Sequence, residues 1–144
     1  MGFDKTERAL LALARLYFLT FSDPATQSWM RASALARCTF GPALGPSIAH
    51  ALLEAVNELR LARSSGFQFS NPDCPCCAQI LCDAERHFMA ALSAVRLGRQ
   101  SAAHGNALLL CEGADTAQLL AALAHLHDVL DDAQATRRTE ETTG

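Results

Sequence analysis

A chain of 144 residues with half of them hydrophobic suits one domain and can bury a core without disulfide staples. Its net charge of −3 argues against a polyanionic partner, and its arginines, which outnumber lysine eleven to one, are scattered rather than patched. Ala and Leu dominate and β-branched residues are scarce, which favours helices over strands.

The expected fold is all-α: a compact bundle of about six helices in one domain over residues 1–133, with a flexible tail from 134 to 144. The first helix is predicted from Asp4 to Thr20, where Leu10, Leu13, Tyr17 and Phe21 share a stripe. Residues 9–21 are apolar but interrupted by Arg15 and preceded by Asp4 and Glu7. A signal peptide wants a basic leader instead, and the stretch is too short to span a bilayer. Ser22-Asp23-Pro24 then reads as a cap with Pro at the first helical position, opening a second helix from Pro24 to Arg37. Trp29 and Met30 on it are expected in the core.

"CTFGPALGP" breaks the chain, and a third helix runs from Ser47 to Arg63 with Ile48, Leu52, Val56 and Leu59 inward. "RSSGFQFSNPDCP" rejects helix: Gly66 stops the third helix, and Asn71-Pro72 turns the chain. Phe67 and Phe69 are expected to shield the segment that follows. A fourth helix is formed by Asp83, or already from Pro75, and ends at Leu97-Gly98. A fifth covers Ser101 to Leu110, and a sixth, capped by Asp115 or Thr116, carries Leu119, Leu123, Leu126 and Leu130. Arg60, Arg63, Arg96 and Arg99 fall near helix ends, where cations complement the helix dipole.

Chemistry concentrates in "SNPDCPCC", which holds three of the six cysteines within four positions. In a cytoplasmic, reducing setting such clustering points to metal or thiol chemistry before structural disulfides. The leading expectation is a structural or regulatory zinc site on Cys74, Cys76, Cys77 and Cys82, with Cys38 and Cys111 as completing ligands and function carried by an unidentified protein partner. Helical geometry limits it. At about 100° per residue, Cys74 and Cys77 share a face, Cys76 points nearly opposite Cys74, and Cys82 lies about 140° from Cys77. His87 is a weaker recruit, and no common ferredoxin spacing supports an iron–sulfur cluster.

The second expectation is thiol redox chemistry. With a helix starting at Pro75, Cys74 becomes its N-cap, a position that stabilises a thiolate, and Cys77 one turn on can resolve a mixed disulfide. The four residues Cys74-Pro75-Cys76-Cys77 resemble the CPxC arrangement of thioredoxin-like and glutaredoxin-like proteins, a likeness of motif without the βαβ context of those folds. Helical peroxidases with C-x-x-C place a His four residues beyond the second Cys, where this chain has Leu81. Asp73 beside Cys74 opposes a thiolate by like charge.

The third expectation is an interaction module whose cysteines are small hydrophobes. His125 and His127, two apart on a helix, face away from each other and do not form a metal pair. His127 is expected as a hydrogen-bonded core residue and His125 as solvated. No phosphate loop, nucleophile elbow or dinucleotide fingerprint is present. No nucleic-acid or membrane partner is expected, and an Ala-rich, leucine-faced bundle suits a homodimer as well as a monomer.

Overall fold

The computed structural model of the chain describes residues 4–64, 66 and 68–143, with side chains except at residue 78 and from 136 onward. It is all-helical: α1 (Lys5–Ser22), α2 (Ser28–Phe40), α3 (Gly45–Ala62), the single turn α4 (Pro75–Ala78), α5 (Asp83–Arg96), α6 (Gln100–Leu110) and α7 (Ala117–Thr143). These seven helices, among the described residues, are the six expected plus α4. No strand occurs among the described residues. The helix α7 passes the Gln134 at which the tail was expected to begin.

Several helix ends have a local cause. Asp4 caps α1 by accepting the Glu7 N–H at 2.7 Å, while the Glu7 carboxylate reaches back to the Asp4 N–H at 3.5 Å, a reciprocal capping box. The second helix does not start at Pro24. Residues Pro24–Thr26 form a 3-10 turn, Gln27 takes a left-handed conformation at φ 51°, and α2 begins only at Ser28. It then runs past Arg37 to Phe40, and Gly41 at φ 89° ends it. Asp115 initiates α7 by accepting the Ala117 N–H at 2.9 Å.

The core is built from inward stripes of the long helices. Leu10, Leu13 and Tyr17 of α1, Ile48, Leu52 and Leu59 of α3, Phe88 and Leu92 of α5, and Leu119, Leu123 and Leu126 of α7 form one continuous buried cluster. Phe18 joins α1 to α5 by an edge-on contact with Phe88, centroids 6.0 Å apart, and packs against Phe69 at 5.8 Å. Phe69 is therefore part of the bundle's packing rather than a shield over the cysteines. Phe67 lies outside the described residues.

Trp29 and Met30 are not core residues, being 53% and 54% exposed. The buried stripe of α2 is Ser28, Ala32, Ala36 and Phe40, spaced by four, and its small members let α2 lie close to its neighbours. That closeness is extreme at Gly45. A Cβ there would stand 2.7 Å from the Ala36 carbonyl oxygen and 2.9 Å from the Arg37 Cα, both backbone atoms that cannot step aside. Alanine gains up to about 1 kcal/mol over glycine in an unobstructed helix, but overpacking costs about 1–3 kcal/mol. Gly45→Ala is therefore expected to lower stability in urea denaturation, where an exposed helical glycine such as Gly105, which has open space around it, would tolerate the same change.

Candidate functional site: the cysteine loop

The site is built on a pair of charges that the bundle buries. Arg15, midway along α1, is 7% exposed, and Glu85, in the first turn of α5, is fully buried. The Arg15 Nε donates to one Glu85 oxygen at 2.6 Å and Nη2 to the other at 3.1 Å, a forked, charge-assisted pair. The carboxylate also accepts the backbone N–H of Ser70 and of Cys82, each at 3.2 Å. Arg15 Nη2 donates further to the Ile80 carbonyl at 3.0 Å, and the Ser70 hydroxyl donates to that same carbonyl. Both ends of the segment carrying the cysteines are thus fastened to one buried ion pair. Burial pushes the Glu85 carboxyl up. The Arg15 hydrogen bonds and charge, with the Cys82 and Ser70 amides, outweigh it and hold the group below the ordinary carboxylate value.

A second anchor lies on the outside. Arg31 of α2 binds Asp73 in a fork, Nη2 to Oδ1 at 2.6 Å and Nη1 to Oδ2 at 3.2 Å. Arg31 hydrogen-bonds Asp73 and keeps its carboxyl below the ordinary range. The carboxylate that sequence reasoning set against a Cys74 thiolate is therefore engaged by a cation. Asp73 also takes its own turn from Asn71, whose side chain accepts the Asp73 N–H at 2.9 Å.

Between these anchors, α4 makes one turn with Pro75 first and Cys74 as its N-cap. The Cys77 N–H donates to the Cys74 sulfur at 3.4 Å. The Cys77 thiol and its amide, with the Cys76 amide, lower the Cys74 pKa, while the same contact raises that of Cys77. Cys74 is half-buried, and Cys76 and Cys77 are exposed. The chain leaves helix after Ala78 and starts α5 only at Asp83, so the helix begins twice.

The other sulfurs are placed apart from this turn. Cys82 caps α5 and donates to the Gln68 carbonyl at 3.2 Å, and burial raises its pKa. Cys111 ends α6 inside the core with no exposed surface, and burial raises it too. Cys38 is exposed near the C-terminal end of α2, seven residues beyond Arg31; that is about 10 Å along a helix axis. Among the described residues no three His, Cys, Asp or Glu side chains are grouped to hold a metal ion.

The histidines have other engagements. His87 meets Asn106 at 3.2 Å, and His50 pairs with Glu54 at 2.7 Å. His127 is half-buried with Nε2 3.3 Å from Asp131, and His125 is exposed. No helix among the described residues is long and apolar enough to cross a membrane. No family model, curated protein or solved structure matches the chain. Its chemistry is therefore read from its own residues.

Two outcomes are expected. Glu85→Ala strands Arg15 in the interior and removes the acceptor of two amides, a class of change costing about 3–5 kcal/mol, measurable by urea unfolding. Because the folded pKa of Glu85 is depressed, its stabilisation is complete above the ordinary carboxylate value and is lost as pH falls through the lowered one; Glu85→Gln should remove that acid-limb contribution. Separately, the alkylation rate of Cys74 against pH should rise with a midpoint below the ~8.5 of a free thiol. The midpoint should move up in Arg31→Gln, which unmasks Asp73, and in Cys77→Ala, which removes a donor.

Proposed function

We propose that the chain is a thiol–disulfide exchange protein in which Cys74 attacks and Cys77 resolves. The observation that carries this reading is the exposed turn on which the Cys77 thiol and the Cys77 backbone amide both donate to the Cys74 sulfur; the thiol contact lowers the Cys74 pKa and raises that of Cys77, and the amide at 3.4 Å adds to the lowering. A lowered pKa puts more of Cys74 in the nucleophilic thiolate form near neutral pH, and a raised one keeps Cys77 protonated until it is needed.

The reaction balances without any group outside the substrate. The Cys74 thiolate attacks one sulfur of a disulfide, forming a mixed disulfide and releasing the other sulfur as a thiolate, which takes a proton from solvent. Cys77 loses its proton and attacks the Cys74 sulfur, expelling the second substrate thiol. The dithiol is oxidised to a Cys74–Cys77 disulfide as one substrate disulfide is reduced to two thiols. Pro75 between them fixes one backbone dihedral, so little freedom remains to be lost when the pair closes.

Two further features favour the pair over its neighbours. Cys76 is exposed, and helical spacing sets it about 200° from Cys74 around the turn. The Cys82 sulfur, engaged by the Gln68 carbonyl, is held with its pKa raised.

The test is stoichiometric oxidation of the anaerobically reduced protein by a glutathione redox buffer, followed by peptide mapping. A single Cys74–Cys77 disulfide, with Cys74→Ser inert and Cys77→Ser trapped as a Cys74 mixed disulfide, is the expected result. Elemental analysis of the same anaerobic preparation separates the zinc reading. One tightly bound zinc per chain, lost on mutating Cys74, Cys76, Cys77 or Cys82 and abolishing thiol reactivity while bound, would make metal binding the function instead.

A further inference from the structure

A cavity of about 190 Å³ opens between the C-terminal thirds of α1 and α3 and the segment leading into the cysteine loop. Its inner wall is Phe18, Val56 and Leu59, each 5% exposed or less, and its outer wall is Phe21 and Phe69. The volume exceeds the roughly 150 Å³ that accommodates a benzene ring in an apolar protein cavity. A site walled by hydrophobic side chains with one or two placed polar groups is the ordinary form of a small-molecule site.

The placed polar group is Arg60. Its guanidinium sits over the Phe21 ring, 4.7 Å from the centroid, and one nitrogen donates to the Asn57 side chain at 3.0 Å. A guanidinium carries five N–H donors, and Asn57 takes one of them. Among the described residues no carboxylate pairs with Arg60, a property it shares with Arg8, Arg37 and Arg99; of these four, Arg60 is the one that lines this cavity. The stacked ring holds the charge at the mouth of the cavity rather than leaving it to wander in solvent.

Arg60 lies in the last turn of α3, where the negative end of the helix dipole favours a cation but supplies no carboxylate partner. Two carbonyls near the end of α1 have partners, that of Leu16 accepting the Thr20 hydroxyl and that of Leu19 the Ser22 hydroxyl and the Asp23 amide. The Leu59 carbonyl of α3 accepts the Arg63 amide. A carboxylate arriving at the rim would meet a guanidinium in the forked geometry that arginine offers.

We propose that this cavity binds a small monocarboxylate with an apolar body, one aromatic ring or a short alkyl chain, its tail among Phe18, Val56 and Leu59 and its carboxylate on Arg60. The site is separate from the thiol pair and its occupancy requires no redox step, so the two readings stand or fall independently.

The full chain is titrated with phenylacetate, octanoate and the uncharged isostere phenylacetamide, and methyl resonances of Val56 and Leu59 are followed by NMR. Saturable one-to-one shifts centred on Val56 and Leu59 are expected, with phenylacetamide weaker than phenylacetate by about tenfold, the scale of one charge-assisted hydrogen bond. Arg60 is exposed, so Arg60→Gln should fold normally; it should bring phenylacetate down to the level of phenylacetamide and leave the amide unchanged. Failure of both carboxylates to saturate, equal affinity for acid and amide, or shifts centred elsewhere in the bundle would each overturn the proposal.

Discussion

The buried pair of Arg15 and Glu85 is the constraint on which the rest of the site depends. Removing two charges from water costs several kcal/mol per ion, and mutual attraction repays it only when geometry is good and the remaining hydrogen-bond capacity is filled. Here it is filled: the carboxylate accepts two guanidinium nitrogens and two backbone amides. Apolar side chains of similar size could stabilise the bundle as well. They could not hold the Ser70 and Cys82 amides and the Ile80 carbonyl in one register. The pair therefore contributes position to an irregular segment that has no ladder of its own.

Position is what the thiols require. A single helical turn such as α4 is far below the length at which a helix is stable alone. It persists because the chain is fastened on its inner side to Glu85 and on its outer side, through Asp73, to Arg31. The same arrangement sorts the six cysteines into environments. Cys74 and Cys77 share a hydrogen bond at the surface, Cys82 is tied to a carbonyl, and Cys111 is walled into the core. The cavity beside Phe69 borders this framework, since Phe69 precedes the clamped Ser70 and packs on Phe18.

Much of this was legible in the chain. Leucine stripes, the Asp115 or Thr116 cap of α7 and the Gly-Pro breaks located the long helices, and the CPxC spacing made Cys74 a cap with Cys77 beside it on the condition that a helix begins at Pro75. The Arg15–Glu85 pair was not legible, because its members stand seventy residues apart and only the fold brings them together. Two hints existed: an arginine inside the apolar run of the first helix, and a glutamate at the position where a capping box forms. The start of α2 was misplaced because Ser22-Asp23-Pro24 carries strong initiation chemistry. It starts a 3-10 turn that Gln27 then ends, and nothing local requires Gln27 to be left-handed. Trp29 and Met30 were expected inside on size alone, whereas the close approach of α2 selects Ala32 and Ala36 for the interior.

Native-state hydrogen exchange at individual amides tests the anchoring most directly. Ser70 and Cys82 lie outside any helix, yet their N–H groups donate to a buried carboxylate. They should exchange as slowly as amides in the middle of α5, opening only with the global unfolding of the bundle. Exchange at the rate of the neighbouring Gln68 amide would mean that the cysteine loop moves freely over the bundle, and that no buried ion pair positions Cys74 and Cys77.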